Sequence, residues 1–213
     1  MTAPQPASTG RVVILNGVSR AGKSTLARAI QESVPGVWMH LGGDAHKTCT
    51  PPNRQPGVGL RPGRNQVRPE VEECVPVLHA ALHESVAVHA RFGLHVVVDG
   101  NFHDSYTRRY GILEDCARRL TGLETLFVGV RCPVEVIWER RARTWGQLLG
   151  EVAQDVVDAV ELAQHATHAH RGYDLEVDTS LMSPENCAAV IARRLSEGPP
   201  GTALTAIAAL GRG

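Results

Sequence analysis

A glycine-rich loop between a short apolar run and a helical pattern constrains this chain more than any other feature. The loop is Gly17-Val18-Ser19-Arg20-Ala21-Gly22-Lys23-Ser24. The run before it, Val12 to Asn16, is apolar and β-branched, which predicts a buried parallel strand. The stretch after it, Thr25 to Ile30, has apolar residues at helical spacing. Strand, loop and helix N-terminus in this order are the setting of a phosphate-binding loop, so the sequence predicts a nucleoside triphosphate site.

Each residue type in this loop has a physical role toward a triphosphate. The glycines let successive backbone N–H groups point inward at a phosphate, and the dipole of the next helix adds positive potential. Lys23 is predicted to reach the β- and γ-phosphates, and the Ser24 hydroxyl to bind Mg²⁺. We therefore expect ATP and Mg²⁺ as cofactors. Nucleotide contacts are expected from Gly17, Val18, Ser19, Arg20, Ala21, Gly22, Lys23, Ser24 and Thr25.

The rest of the chain alternates apolar, strand-like runs with helical patterns. The further strand-like runs are Val37 to Leu41, His95 to Val98, Thr125 to Arg131 and Tyr173 to Val177. The helical patterns are Pro69 to Arg91 with a kink or restart at Pro76, Tyr106 to Leu120, Pro133 to Trp145, Glu151 to His168, and Pro184 to Leu195. Strands that alternate with helices predict an α/β fold, a parallel five-stranded sheet flanked by helices.

Length and charge bound the organisation of the chain. Its 213 residues suit one domain, which we place at residues 11–197, after a flexible N-terminus over 1–10. Residues 198–213 are expected to form a poorly ordered C-terminal tail, with a short docking helix as the alternative. Lysine plus arginine number 22, as do aspartate plus glutamate. This balance disfavours binding to nucleic acid or to a membrane surface.

The number and spacing of the cysteines indicate the cellular compartment. Five lie far apart without a CxxC pair, which favours reduced thiols and a cytoplasmic protein over a disulfide framework. No apolar run approaches the roughly 20 residues of a membrane span. The sequence leaves open whether the chain is a monomer or a homo-oligomer.

The stretch from Ala45 to Pro69 differs from the rest of the chain. It is rich in proline and glycine and carries five basic residues without an acidic one: Lys47, Arg54, Arg61, Arg64 and Arg68. A loop this long within a compact domain is either functional or disordered. Two interpretations stay open, a solvated insertion and a loop that binds and selects the substrate.

The reaction class follows from what accompanies the phosphate loop. The chain has no Asn/Thr-Lys-x-Asp guanine reader, which disfavours a GTP switch, and it is short for an ATP-driven motor. A small-molecule kinase with a P-loop kinase (mononucleotide-binding) fold fits best. Such an enzyme needs a carboxylate on the Mg²⁺ side, a base for the acceptor hydroxyl, and arginines near the transferring phosphate.

Two aspartates are candidates for the carboxylates. Asp99 ends the strand Val96-Val97-Val98 and should emerge at the carboxyl edge of the sheet, where ligands bind in such folds. Asp44 follows Gly42-Gly43 after the second strand and should emerge near the same edge, where it could accept the hydroxyl proton. Each has a structural alternative, since Asp99 could cap the next loop and Asp44 could form a turn.

The helix after the fourth strand ends in Glu139-Arg140-Arg141-Ala142-Arg143. Arg140 and Arg143 share a helical face, and a Trp145-Gly146 break after them could hinge a lid. They are candidates for stabilising the transferring phosphoryl group. The alternative is a basic last turn that favours the helix dipole.

Histidines invite a metal site, but their pattern does not support one. His79 and His83 have i,i+4 spacing without the glutamate of a zinc protease, and His165, His168 and His170 lack clear partners. Surface or helix-packing roles fit these side chains better.

With these residues assembled, the chain resembles the chloramphenicol phosphotransferase family, small P-loop kinases of antibiotic-producing actinomycetes. The shared strings, which span Arg11 to about Leu195, are Ile14-Leu15-Asn16-Gly17, Ala21-Gly22-Lys23-Ser24, Gly42-Gly43-Asp44, Val97-Val98-Asp99, Phe127-Val128-Gly129-Val130-Arg131-Cys132 and Tyr173-Asp174-Leu175-Glu176-Val177-Asp178-Thr179. The resemblance implies that Asp44 is the base that activates the acceptor hydroxyl. It also implies a small hydroxylated acceptor, antibiotic-like, in resistance or self-protection.

The chain departs from this family around the acceptor. The family's Asp-Ser after the glycine pair is Asp44-Ala45-His46 here, followed by the basic stretch. An acceptor other than chloramphenicol is therefore expected, contacted by Asp44, His46, Asp99 and Asn101. Two alternatives stay open: a metabolic kinase of the shikimate or nucleoside type, and a nucleotide-binding regulator that transfers no phosphate.

Overall fold

The computed structural model describes residues 8–62, 68–170 and 172–210. The strands are β1 (Val12–Asn16), β2 (Trp38–Gly42), β3 (His95–Gly100), β4 (Thr125–Arg131) and β5 (Leu175–Asp178). The helices are α1 (Lys23–Ser33), α2 (Gly43–Cys49), α3 (Pro69–Glu72), α4 (Val75–Arg91), α5 (Ile112–Arg119), α6 (Val134–Trp145), α7 (Gln154–Thr167), α8 (Pro184–Glu197) and α9 (Ala203–Leu210), with 3₁₀ turns at Pro52–Arg54 and Gly57–Gly59.

The five strands form one parallel sheet in the order β2-β3-β1-β4-β5. The predicted fold class is confirmed. In the register of the sheet, Asp99 of β3 lies opposite Leu15 of β1 and Gly42 of β2. Because all strands run the same way, the loops that follow β1, β2 and β3 converge at one edge. This edge positions the candidate site.

Apolar layers cover both faces of the sheet. On one face Ile14, Val98 and Phe127 pack in a cluster with residues of α4, α5 and α9. On the other face Leu15, Val97 and residues of α1, α6 and α8 form a second cluster. Neighbouring residues of each strand alternate between the two clusters, as the pleat of a strand requires. Burial of both faces explains why the strands are continuous apolar runs.

Two helix boundaries follow from local chemistry. The pattern from Pro69 breaks into α3 and α4, and Pro76 lies in the first turn of α4, as expected. The pattern from Tyr106 was expected to be helical throughout, but α5 starts only at Ile112. The Asp104 carboxylate accepts hydrogen bonds from the backbone N–H groups of Tyr110 at 3.0 Å and Gly111 at 3.1 Å. These bonds hold the preceding residues in a turn.

The C-terminal segment forms a docked helix. In α9, Leu204 and Ile207 are buried against the cluster that contains α5. The Asp174 carboxylate accepts hydrogen bonds from the backbone N–H groups of Thr202 and Ala203, which anchors the start of the helix. The expectation of a poorly ordered tail is therefore wrong as far as Leu210, where the alternative of a docking helix holds. The first seven residues and the last three lie outside the described part of the chain.

Two further observations concern the cysteine thiols and the apolar character of the helices. All five cysteines have free thiols. Among the described residues, no helix combines the length and apolar character that a membrane crossing needs.

Candidate active site

The phosphate loop turns from β1 into α1 as the sequence predicts. Gly22, just before α1, has a φ of +90°, a conformation that side chains with a Cβ rarely adopt. Arg20 adopts a φ of +71° although it is not glycine. The Lys23 ammonium donates a hydrogen bond to the Val18 carbonyl at 2.7 Å, across the loop. The lysine is therefore held at the centre of the loop.

The surroundings of Lys23 determine its charge. Burial lowers the pKa of Lys23 to about 8, the Asp99 and Asp44 carboxylates act against this, and the Arg61 guanidinium adds to it. Each of these charges lies close enough to interact with the ammonium. The structure thus brings together Lys23 and both candidate carboxylates.

Asp99 lies in a closely fitted position at the end of β3. Its Oδ2 accepts a hydrogen bond from the Ser24 hydroxyl at 2.5 Å, and its Oδ1 lies 3.3 Å from His40 Nε2. Burial raises the pKa of Asp99, but the hydrogen bonds from His40 and Ser24 and the charge of Lys23 outweigh this, so the pKa is lowered overall. An ionised carboxylate beside a hydroxyl is the kind of oxygen pair that Mg²⁺ takes. Both predicted metal ligands therefore fit the ion.

The neighbouring strand makes room for this carboxylate. A Cβ on Gly42 would lie 1.5 Å from Asp99 Oδ1, so any larger residue there would displace the carboxylate. The sequence showed a glycine pair but not the reason for it.

Asp44 differs from Asp99 in its exposure. It lies in the first turn of α2, directly after β2, and is exposed. Within the described part of the chain, no group donates a hydrogen bond to its carboxylate. His46, also on α2, is half-buried, and burial lowers its pKa. Asp44 is thus an open carboxylate near Lys23, whereas Asp99 is engaged.

The two predicted arginines are placed differently. Arg140 donates hydrogen bonds to the Arg20 carbonyl at 3.2 Å and to the Thr179 hydroxyl and carbonyl at 3.0 and 2.7 Å. It therefore braces the backbone of the phosphate loop against the residue after β5. Arg143 is exposed near the end of α6.

A different set of arginines surrounds Trp145. The guanidinium carbons of Arg20, Arg141 and Arg61 lie 3.8, 5.1 and 5.4 Å from the centre of its ring. Arg61 also donates a hydrogen bond to the Ser19 hydroxyl at 3.3 Å. Sequence reasoning missed Arg141 because spacing alone does not show which side of α6 faces the loop.

Asn101 belongs to a polar network under the phosphate loop. It accepts a hydrogen bond from the Thr167 hydroxyl. The buried Asn16 donates to the Thr167 carbonyl at 2.9 Å and accepts from the backbone N–H of Phe102 at 2.8 Å. It also lies 3.0 Å from the Tyr173 hydroxyl. Asn16 was missed as a site-supporting residue, although a polar residue at the end of an apolar strand was a signal for it.

Two of the histidines near the C-terminal end of α7 extend this network through hydrogen bonds. His168 Nδ1 lies 2.6 Å from the Tyr173 hydroxyl, and His170 Nε2 lies 3.1 Å from Asn16 Nδ2. Burial lowers the pKa of His168 to about 4. These neutral rings contact Asn16 and Tyr173, and Asn16 directly precedes the phosphate loop.

The basic stretch is partly built into the fold. Arg54 donates to the Glu70 carbonyl at 2.6 Å, and Arg68 donates to the Glu70 carboxylate at 2.6 Å. Val58 and Leu60 are buried. The interpretation as a fully solvated insertion is therefore wrong for the described part, while Arg64 lies outside the described residues.

Comparisons with known proteins show the family to which the chain belongs. A family model described as chloramphenicol phosphotransferase-like protein matches residues 10–196. A Mycobacterium tuberculosis protein that carries the provisional name O-phosphotransferase is 28% identical over 187 residues, which cover 80% of this chain and 76% of the relative.

Two solved structures share the fold. The APS kinase of Mycobacterium tuberculosis, solved with AMPPNP and APS, has a TM-score of 0.59 and 16% identity, covering 89% of this chain and 99% of its own. The shikimate kinase of Acinetobacter baumannii, solved with shikimate, has a TM-score of 0.54 and 14% identity, covering 88% and 93%. The family match spans nearly the whole described domain, so this chain belongs to the chloramphenicol phosphotransferase-like family and is a phosphotransferase.

Proposed function

We propose that this protein is an ATP- and Mg²⁺-dependent kinase that phosphorylates a hydroxyl group of a small molecule in the cytoplasm. One observation carries the proposal. The charges of two carboxylates act on the Lys23 ammonium; one of them, Asp99, is held by Ser24, whereas the other, Asp44, is exposed. This division matches the two carboxylate roles of phosphoryl transfer.

The residues divide the reaction between them. Lys23 and the backbone N–H groups of the loop hold the β- and γ-phosphates of ATP. Asp44 orients the acceptor hydroxyl and takes its proton as the oxygen bonds to the γ-phosphorus. The bond from that phosphorus to the β,γ-bridging oxygen breaks, and ADP leaves with those electrons. Ser24 and Asp99 would hold Mg²⁺, which when bound neutralises charge on the phosphates.

The acceptor we propose is an antibiotic-like molecule. Phosphorylation would inactivate this molecule and so give resistance or self-protection. Family membership supports transfer to an oxygen atom. The basic stretch beside Asp44 supports an acceptor other than chloramphenicol. A metabolic acceptor of the shikimate or nucleoside type is the alternative. A panel of hydroxylated antibiotics, shikimate and nucleosides, incubated with ATP and read by mass spectrometry for one added phosphate, separates the two.

The roles of the two aspartates can be tested against each other. Asp44→Asn keeps the shape of the side chain and removes its basicity, so it should bind ATP and acceptor normally and lose most turnover. Asp99→Asn should instead weaken the Mg²⁺ dependence of nucleotide binding. Glu32→Gln, an exposed acid-to-amide change on α1, is the matched control. An active Asp44→Asn beside a dead Asp99→Asn with normal Mg²⁺ dependence would exchange the two roles.

A further inference from the structure

Arg61 reaches the mouth of the phosphate loop from the acceptor side of the molecule. Its Nη2 donates to the Ser19 hydroxyl at 3.3 Å, and its side chain lines a cavity of about 50 Å³ together with Val18, Asn101 and Arg141. The positive charge of Arg61 also acts on the Lys23 ammonium. Arg61 therefore lies near Lys23, the residue that is predicted to hold the γ-phosphate.

The backbone before Arg61 is firmly anchored. Leu60 is 3% exposed, its N–H donates to the Gly57 carbonyl at 3.1 Å, and its carbonyl lies 3.0 Å from His103 Nε2. Arg61 thus extends from a fixed point in the core. A backbone that is already fixed has little conformational entropy left to lose when the side chain binds a ligand.

The Ser19 hydroxyl that Arg61 contacts belongs to the phosphate loop itself. The bond from Arg61 to Ser19 is long for an N–H···O bond and goes to a neutral oxygen. A phosphate oxygen would be a stronger partner for this guanidinium, because both groups are charged.

We propose that Arg61 binds the transferring γ-phosphoryl group. This inference rests on the proposed kinase function. The face of the Trp145 ring attracts the guanidinium through its π-electrons, and Arg20 shares the same ring. Arg61, from the basic stretch, and Trp145, at the end of α6, therefore meet beside the phosphate loop.

Nucleotides that differ by one phosphate test the proposal. Dissociation constants for Mg²⁺–AMPPNP and Mg²⁺–ADP are measured by calorimetry for the wild type, Arg61→Ala and Arg61→Lys. Arg61→Ala should weaken AMPPNP about ten- to hundredfold relative to ADP, the effect of losing hydrogen bonds to a charged group. Arg61→Lys should recover part of this loss. The control Arg28→Ala, an exposed change on α1, should leave both affinities unchanged.

Tryptophan emission gives a second measurement. Trp145 is 40% exposed, whereas Trp38 and Trp138 are each 6% exposed. AMPPNP should draw Arg61 from the indole ring and change the emission, more than ADP does. Trp145→Phe should lack this change, and in Arg61→Ala the two nucleotides should give the same signal.

The outcomes separate this inference from the proposed function. Equal weakening of AMPPNP and ADP in Arg61→Ala, or no weakening of either, would overturn the role of Arg61. A wild type that binds both nucleotides but phosphorylates no acceptor would overturn the kinase proposal. The ratio of the AMPPNP and ADP dissociation constants in the wild type and the Arg61 variants would still be measurable.

Discussion

The buried histidine His83 should make the fold sensitive to acid. His83 lies on α4, is 1% exposed, and stacks on Phe102 with ring centres 5.6 Å apart. Neither ring nitrogen has a hydrogen-bond partner within the described part of the chain. Burial lowers the pKa of His83 to about 4; the Asp115 carboxylate acts against this, and the charge of Arg119 adds to it. The folded protein therefore holds this ring neutral.

The sign and size of the effect follow from linkage. The folded pKa is below the unfolded value of 6.5, so below pH 6.5 the unfolded chain binds a proton that the folded chain does not. The stability that the protein has with His83 neutral is thus fully present above pH 6.5, and it is lost as the pH falls toward 4. Between pH 7.5 and 4.5 the loss is about 2–3 kcal/mol, at 1.36 kcal/mol per pKa unit.

The substitution His83→Phe tests this estimate. Phenylalanine keeps the ring contact with Phe102 and removes two buried nitrogens without partners, so stability at pH 7.5 should be unchanged or higher. The free energy of unfolding, measured in urea at pH 7.5 and 4.5, should fall by about 2–3 kcal/mol less than in the wild type. His165→Gln, at an exposed position on α7, is the control. The same pH dependence in His83→Phe and wild type would refute the reasoning.

Three further predictions concern the candidate active site. Lys23→Ala should lower turnover about 10²–10³-fold with the fold intact, as loss of one preorganised charge contact typically does; near-normal kcat would exclude Lys23 from transfer. Gly42→Ala should displace the Asp99 carboxylate, because its Cβ would lie 1.5 Å from Oδ1, and should weaken the Mg²⁺ dependence of nucleotide binding. An unchanged Mg²⁺ titration would count against a metal site at Ser24 and Asp99. Arg140→Ala should weaken ATP binding about tenfold with little change in kcat, because Arg140 braces the loop at the Arg20 carbonyl. A lower kcat at unchanged Kd would instead support the transition-state role expected from the sequence.

The sequence by itself determined the sheet, the phosphate loop and the edge at which the two aspartates emerge. These features depend on local order. A buried parallel strand is an apolar run, the loop needs its glycines, and a residue that ends a parallel strand must lie at the carboxyl edge. Lys23, Ser24, Asp44 and Asp99 were therefore predicted together, and the structure brings them together.

Only the tertiary structure decided which side chains support and surround that edge. Asn16 joins the end of β1 to Thr167, 151 residues away in the chain, and Arg140 reaches across 120 residues to the Arg20 carbonyl. Arg61 and Trp145 come together from separate segments. Spacing along a chain shows which residues share a helix face or strand face, but not which neighbour that face packs against. Those contacts depend on how the helices pack on the sheet, because packing and burial act between residues that are distant in sequence.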